Sequence, residues 1–199
     1  MANERLRPFR DYDEHDVLNL FAFSDAAVDF GVSSATPVQA GSVVKINNGW
    51  RNNHVTQDMI GDVGAAYNNT VSQRWGVKAT VEYANGASSS EIPLGITLYD
   101  VREYDENGEA LKFNPRKQDE LQCSLSGQAV PIATKGVFLF ATGAWATDPR
   151  LNAANAAVYA TGAGQLTHTA GAGASANPKV GKALGTMDND GSVLVKLEL

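Results

Sequence analysis

At the end of the chain, apolar side chains recur at every second position, and this period constrains the fold more than any other feature. A period of two is typical of a β-strand with one buried face. The preceding Asn189-Asp190-Gly191 is a turn sequence of the kind that joins two antiparallel strands. We therefore predict a C-terminal hairpin in which one set of residues faces a core and the other faces outward: Val193, Val195, Leu197 and Leu199 against Leu194, Lys196 and Glu198.

The same alternation recurs upstream, and longer periods are missing. Val77, Ala79, Val81 and Tyr83 alternate with polar residues, and residues 42–46 and 94–99 are further short β-type segments. Residues 136–140 form a continuous apolar run, which is typical of a strand covered on both faces. No segment repeats apolar residues at helical spacing over three turns. The sequence therefore predicts a mainly β fold, as one or two small antiparallel β-barrels or sandwiches with an extended N-terminal arm.

Three regions follow from the distribution of these segments. Residues 1–16 are charged and lack periodicity, which predicts an extended arm that is mobile in the free protein. Residues 17–113 form a first β region with a Trp-containing loop at 47–75, and residues 126–199 form a C-terminal small β-barrel, with a boundary near 114–126. Residues 93–113 and 178–197 have similar spacing, which either a duplicated barrel or the common sequence pattern of hairpins explains.

Charge and cysteine content exclude several classes of function. The net charge is −6, and the arginines of the arm are followed at once by Asp11, Asp13, Glu14 and Asp16. A nucleic-acid-binding protein needs a basic face, so we expect no direct nucleic-acid partner. No apolar run is long enough for a membrane span, and the first residues lack the apolar core of a signal peptide. Cys123 is the only cysteine, and we expect a buried, inert thiol.

The sequence carries no recognisable catalytic or ligand-binding motif. The chain contains no nucleophile elbow, and its Gly-rich stretches lack the spacing of a phosphate-binding loop. The acidic cluster at residues 11–16 is more typical of a solvated segment than of a metal site, and Asp188-Asn189-Asp190-Gly191 is better explained as a turn. We expect no enzymatic activity, no cofactor and no metal.

The C-terminal part of the chain carries a family resemblance. Residues 126–133 precede the apolar run at 136–140, and the chain ends with Val180-Gly181-Lys182-Ala183-Leu184 and then Gly191-Ser192-Val193-Leu194-Val195-Lys196-Leu197. This pattern resembles the small β-barrel of decoration, or cement, proteins of tailed-phage capsids. The resemblance implies a structural virion protein on the outer surface of the capsid, made in the host cytoplasm. It implies that the protein bridges coat subunits, with the major capsid protein as its partner and a homotrimer as a frequent arrangement.

Candidate interface residues come from the arm and from the tryptophans. In the arm, aromatic side chains suited to pockets lie between arginines suited to carboxylates of a neighbour. The candidates are Arg5, Arg7, Phe9, Arg10, Tyr12, Trp50 and Trp145. The alternative is a carbohydrate-binding or host-attachment β module, such as a head fibre or a tail-associated adhesin. That function requires exposed tryptophans aligned on one strand face, whereas Trp50, Trp75 and Trp145 are dispersed.

Overall fold

A computed structural model describes residues 4–23, 38–48, 79–86, 90–125, 128–146 and 154–199. Most of the predicted loop at 47–75, including Trp50 and Trp75, lies outside the described residues, as does Val77. Among the described residues, no helix is both long and apolar enough to cross a membrane.

Fourteen strands and one α-helix, with short 3₁₀ turns between them, make up the regular structure of the described residues. In chain order the elements are β1 (Leu6–Asp11), β2 (Val17–Leu18), β3 (Ala22–Phe23), β4 (Val43–Asn48), β5 (Thr80–Tyr83), β6 (Gly95–Thr97), β7 (Asp100–Val101), α1 (Pro115–Glu120), β8 (Cys123–Ser124), β9 (Ile132–Ala133), β10 (Lys135–Phe140), β11 (Ala157–Thr161), β12 (Gln165–Thr167), β13 (Lys179–Ala183) and β14 (Val193–Glu198).

The strands form two six-stranded sheets. The first sheet has the order β2-β9-β6-β4-β5-β3, and the second has the order β1-β10-β14-β13-β11-β12. All pairs are antiparallel except β3 with β5 and the separate pair β7 with β8. The prediction of a mainly β fold is confirmed, and the arrangement is sandwich-like. Among the described strands neither sheet closes into a barrel, because each sheet has two edge strands.

The main core lies between the two sheets. It contains Val43 and Ala133 from the first sheet and Phe138, Phe140 and Val195 from the second. The neighbours of the first two, Val44 and Ile132, belong instead to a second apolar cluster on the far side of the first sheet. Because successive residues of a strand point to opposite faces, the first sheet is buried on both sides.

The C-terminal hairpin forms as predicted. β13 and β14 pair antiparallel, with Ala183 opposite Val195 and Gly181 opposite Leu197. Val193, Val195 and Leu197 are buried, and Leu199 packs partly buried against the main core. In the turn, the Asp190 carboxylate accepts hydrogen bonds from the backbone N–H and the hydroxyl of Ser192, both at 3.1 Å.

The described N-terminal segment is extended, but it is paired within the second sheet rather than standing apart as an arm. β1 pairs with β10, with Leu6 opposite Phe140 and Arg10 opposite Phe138. Leu6 is buried in the main core, so the segment contributes to the fold of the single chain. Pro8 and a register shift between Leu6 and Arg10 interrupt this edge strand, which disfavours pairing with a further strand.

The parts of the chain on either side of residues 114–126 do not form separate sheets, because each part contributes strands to both sheets. β9, from the C-terminal side of the proposed boundary, lies in the first sheet between β2 and β6, whereas β1 lies in the second sheet. The segment at 114–126 contains α1 and β8, with Cys123 and Leu125 in a small apolar cluster with Leu111. Leu111–Phe113 forms a 3₁₀ turn rather than the strand that the similar spacing of the two halves suggests.

Candidate interaction surface

The outer face of the second sheet follows from the strand register. Since Val193, Val195 and Leu197 point into the core, the intervening residues of β14 point away from it. Leu139 of β10 lies opposite Leu194, and Lys182 of β13 lies opposite Lys196. The outer face therefore carries leucines across neighbouring strands at one end and lysines at the other.

The apolar strip is the first part of this face. It crosses four neighbouring strands or their ends and consists of Phe9, Leu139, Leu184 and Leu194. Leu139 and Leu194 are half-buried Cα partners, and the backbone N–H of Leu184 donates to the Leu194 carbonyl at 2.8 Å. Phe9 is 52% exposed and Leu184 is 41% exposed. The strip thus presents apolar side chains to solvent on a hydrogen-bonded, rigid sheet.

The lysine row is the second part, and it consists of Lys135, Lys179, Lys182 and Lys196 around Glu198. The ammonium groups of Lys182, Lys196 and Lys179 lie 3.3, 3.6 and 3.9 Å from the Glu198 carboxylate. Lys135 is the Cα partner of Glu198 on β10. The hydrogen bond from Lys182, together with the neighbouring lysine charges, lowers the pKa of the Glu198 carboxyl. One carboxylate among four lysines leaves this area positive, although the whole chain carries −6.

Arg5, which immediately precedes β1, and Arg7 and Arg10 of β1 all bind within the chain. The Arg5 guanidinium donates to the Ser42 hydroxyl at 3.0 Å and to the carbonyls of residues 163 and 164 at 3.0 and 3.4 Å. Arg7 donates to the Ser192 hydroxyl at 3.3 Å and to the Glu4 carboxylate at 2.9 Å. Arg10 donates to the Leu98 carbonyl at 3.1 Å. These contacts attach β1 to both sheets.

The aromatic candidates have different positions. Phe9 belongs to the apolar strip, and Tyr12, at 39% exposure, stacks on Phe138 with 5.7 Å between ring centroids. Trp145 lies in the main core rather than on the surface, and Trp50 lies outside the described residues. The structure thus leaves Phe9 and Tyr12 as the exposed aromatic candidates of the described part of β1 and its flank.

The leucines and lysines of the outer face were missed by sequence reasoning. The sequence contained one indication of this surface: Leu194 is apolar, although it occupies an outward-facing position of the alternating C-terminal strand. The other members come together only through the pairing of β10, β13 and β14, which alternation within one strand does not reveal. Other strongly exposed apolar residues, such as Phe113 at 81%, lie elsewhere on the surface.

The predicted acidic cluster forms a local turn. The Asp13 carboxylate accepts from the His15 backbone N–H at 2.9 Å and caps the 3₁₀ turn Glu14–Asp16. Within the described ranges, no group of three or more His, Cys, Asp or Glu side chains is placed to hold a metal ion.

Comparisons with known proteins do not place the chain in a family. No protein-family model matches it, and neither the curated proteins nor the solved structures include a match.

Proposed function

We propose that this chain is a structural virion protein that binds the outer surface of an assembled tailed-phage capsid. It stabilises the capsid by bridging coat subunits, and its partner is the major capsid protein. The C-terminal sequence resemblance supports this proposal. The structural observation that carries it is the apolar strip beside the lysine row on one rigid sheet face.

The two parts of the outer face suit different tasks in an interface. Exposed apolar side chains at the centre of an interface supply binding energy when water is excluded from them. Charged groups at the rim add less affinity but select a partner of opposite charge and accelerate association. The lysine row therefore fits a capsid surface with an acidic area next to an apolar one.

Binding to the assembled state gives a direct route to stabilisation. A protein that binds assembled heads but not free coat subunits shifts the assembly equilibrium toward heads. A β-sandwich is suited to this task because its interface residues are held by strand pairing before binding, which reduces the ordering cost. The proposal includes no catalytic step and no cofactor.

The host-attachment alternative has less support. It requires exposed tryptophans on one strand face, and Trp145, which the structure describes, lies in the core.

The proposal is tested by co-sedimentation. The protein is mixed with assembled heads and, separately, with free coat subunits of the phage that encodes the chain. We expect the protein to sediment with heads and to remain in the supernatant with free subunits.

Phe9→Ser should weaken head binding about tenfold or more, equivalent to about 1.4 kcal/mol. Phe113→Ser is the matched control, because Phe113 is also an exposed phenylalanine but lies outside the apolar strip. Absence of head binding by the unmodified protein contradicts the proposed function.

A further inference from the structure

A cavity of about 230 Å³ lies where the start of β1 meets β7 and the end of α1. Three arginines and two acidic residues are among those that line it: Arg5, Arg10, Arg102, Glu4 and Asp100. These residues come from distant parts of the chain and meet because β1 joins the second sheet.

Both carboxylates of the cavity already have cationic partners. The Asp100 carboxylate accepts from the Arg102 guanidinium at 2.6 Å and from the backbone N–H of Ala40 at 2.8 Å. The Glu4 carboxylate accepts from Arg7 at 2.9 Å. Among the described residues, no carboxylate lies within 4.0 Å of the Arg5 or Arg10 guanidinium.

Arg5 and Arg10 therefore bring two positive charges to the cavity without an anionic partner in the described part of the chain. Their hydrogen bonds go to neutral oxygens, namely the Ser42 hydroxyl and backbone carbonyls. The Nε–H groups of Arg5, Arg10 and Arg102 are shielded from solvent and have no acceptor among the described residues. Buried polar groups of native proteins usually have a hydrogen-bond partner, so three such donors around one cavity need an explanation.

Burial also changes the pKa of Arg5. Removal of its guanidinium from water lowers the pKa of Arg5, which is the direction expected for a buried cation without a counter-charge. The group nevertheless remains protonated at neutral pH because arginine has a very high pKa. A charged group in this position is stabilised when an anion enters the cavity.

We propose that this cavity binds a small oxyanion, either a phosphate or a carboxylate group. Guanidinium groups bind phosphate and carboxylate groups preferentially, because their planar N–H donors match a pair of oxygen atoms. Arg5 and Arg10 supply the uncompensated charge, whereas Arg102 is held in place by Asp100. The site is independent of head binding, since its lining residues are not those of the apolar strip or the lysine row.

The proposal is tested by titrating the full chain with sodium phosphate, sodium acetate or sodium chloride. Ionic strength is held constant and the pH is 7. The side-chain Nε–H signals of arginine, measured by NMR, report the site directly. We expect phosphate or acetate to shift the signals of Arg5, Arg10 and Arg102 in a saturable manner. The signal of Arg116, whose side chain is 91% exposed on α1, should not shift. Saturation by phosphate alone assigns a phosphate ligand, and saturation by acetate alone assigns a carboxylate ligand.

A pair of variants separates the cavity from general charge effects. Arg10→Gln should weaken the binding of the active anion about tenfold or more, equivalent to about 1.4 kcal/mol. Arg116→Gln removes the same charge from an exposed position and should leave the affinity unchanged. If Arg10→Gln does not fold, Arg10→Lys replaces it, because lysine retains the charge but loses the planar fork, and binding should still weaken. The proposal is overturned if neither anion saturates, if chloride causes the same shifts, or if the Arg10 and Arg116 variants bind equally.

Discussion

At the scale of single residues, Asp105 connects a turn to the helix that follows it. Its carboxylate accepts from the backbone N–H groups of Asn107 at 2.8 Å and Glu109 at 2.7 Å, and it also accepts from the Lys117 ammonium of α1. The Asp105 side chain has no solvent exposure. The hydrogen bond from Lys117, followed by the two backbone donors, lowers the pKa of the Asp105 carboxyl.

This pKa shift predicts a pH-dependent contribution to stability. Because the pKa of Asp105 is lower in the folded chain than in the unfolded chain, its contribution is present above the unfolded value of about 3.9. The contribution is lost as the pH falls through the folded pKa. Asp105→Asn should therefore lower the melting temperature at pH 7, and the difference from the unmodified protein should shrink below about pH 4. Thermal unfolding followed by circular dichroism over this range measures the effect.

Asp119→Asn is the control for this prediction, because Asp119 is an exposed acidic residue on α1. It should change the melting temperature little at any pH. An Asp105→Asn difference that is constant from pH 7 to about pH 3 would show that the carboxylate does not act through its charge.

Cys123 illustrates a residue whose environment the sequence predicted. The expectation of a buried thiol is confirmed, since Cys123 is 3% exposed. Burial raises the pKa of the Cys123 thiol to about 11, which keeps it protonated and a poor nucleophile at neutral pH.

At the scale of elements, β1 is the strand whose role differs most from expectation. Leu6 is 4% exposed in the main core, whereas Phe9 on the same strand is 52% exposed. Leu6→Ala should reduce the free energy of unfolding by about 2–4 kcal/mol, because it removes buried methyl groups and leaves a cavity. Phe9→Ala, the control within β1, should change it by less than about 1 kcal/mol. Chemical denaturation of both variants makes the comparison, and equal effects would contradict the placement of β1 in the core.

Deletion of residues 2–16 follows the same reasoning. A mobile arm could be removed without a change in thermal unfolding, but β1 covers the edge of β10 and carries Leu6. We therefore expect the truncated chain to unfold at a lower temperature.

Local sequence patterns were sufficient for β4, β5 and β14, because each of these strands has apolar residues with a period of two. They were insufficient for β1, where Arg7, Pro8 and Arg10 interrupt the alternation and the partner strand β10 lies far along the chain. α1 was missed although its signal is present. Asn114 caps the helix by accepting from the Lys117 N–H at 3.2 Å, and Pro115 occupies the first turn.

At the scale of the whole molecule, the candidate surfaces depend on strand register and on long-range pairing. Arg5 and Arg10 could be singled out from the sequence, but only the folded chain brings Arg102 to the cavity that they line. The apolar strip likewise requires Leu139 to face Leu194 across β10 and β14. An amphipathic pattern indicates which side of a strand is buried, and it does not indicate which strand lies beside it.

The last prediction concerns the thermal stability of phage heads to which the protein is bound. If the protein binds assembled heads through the outer face, added protein should raise the temperature at which heads disrupt, in a saturable manner. At a free concentration about 100 times Kd, one bound site contributes about 2.7 kcal/mol. Differential scanning calorimetry of heads at increasing protein concentration measures this effect.

The lysine row should make this stabilisation depend on salt, because exposed charges are screened over about 10 Å at 0.1 M ionic strength. The double variant Lys182→Glu and Lys196→Glu reverses two charges of the row and should weaken head binding about tenfold or more at low salt. Its binding should also lose the decrease with salt that the unmodified protein shows. Lys112→Glu is the control, because Lys112 lies beside Phe113 and outside the row. Circular dichroism of the free variants checks that their folds are intact. Equal head binding by the double variant and the control would exclude the lysine row from the interface and leave the apolar strip as the remaining candidate on this face.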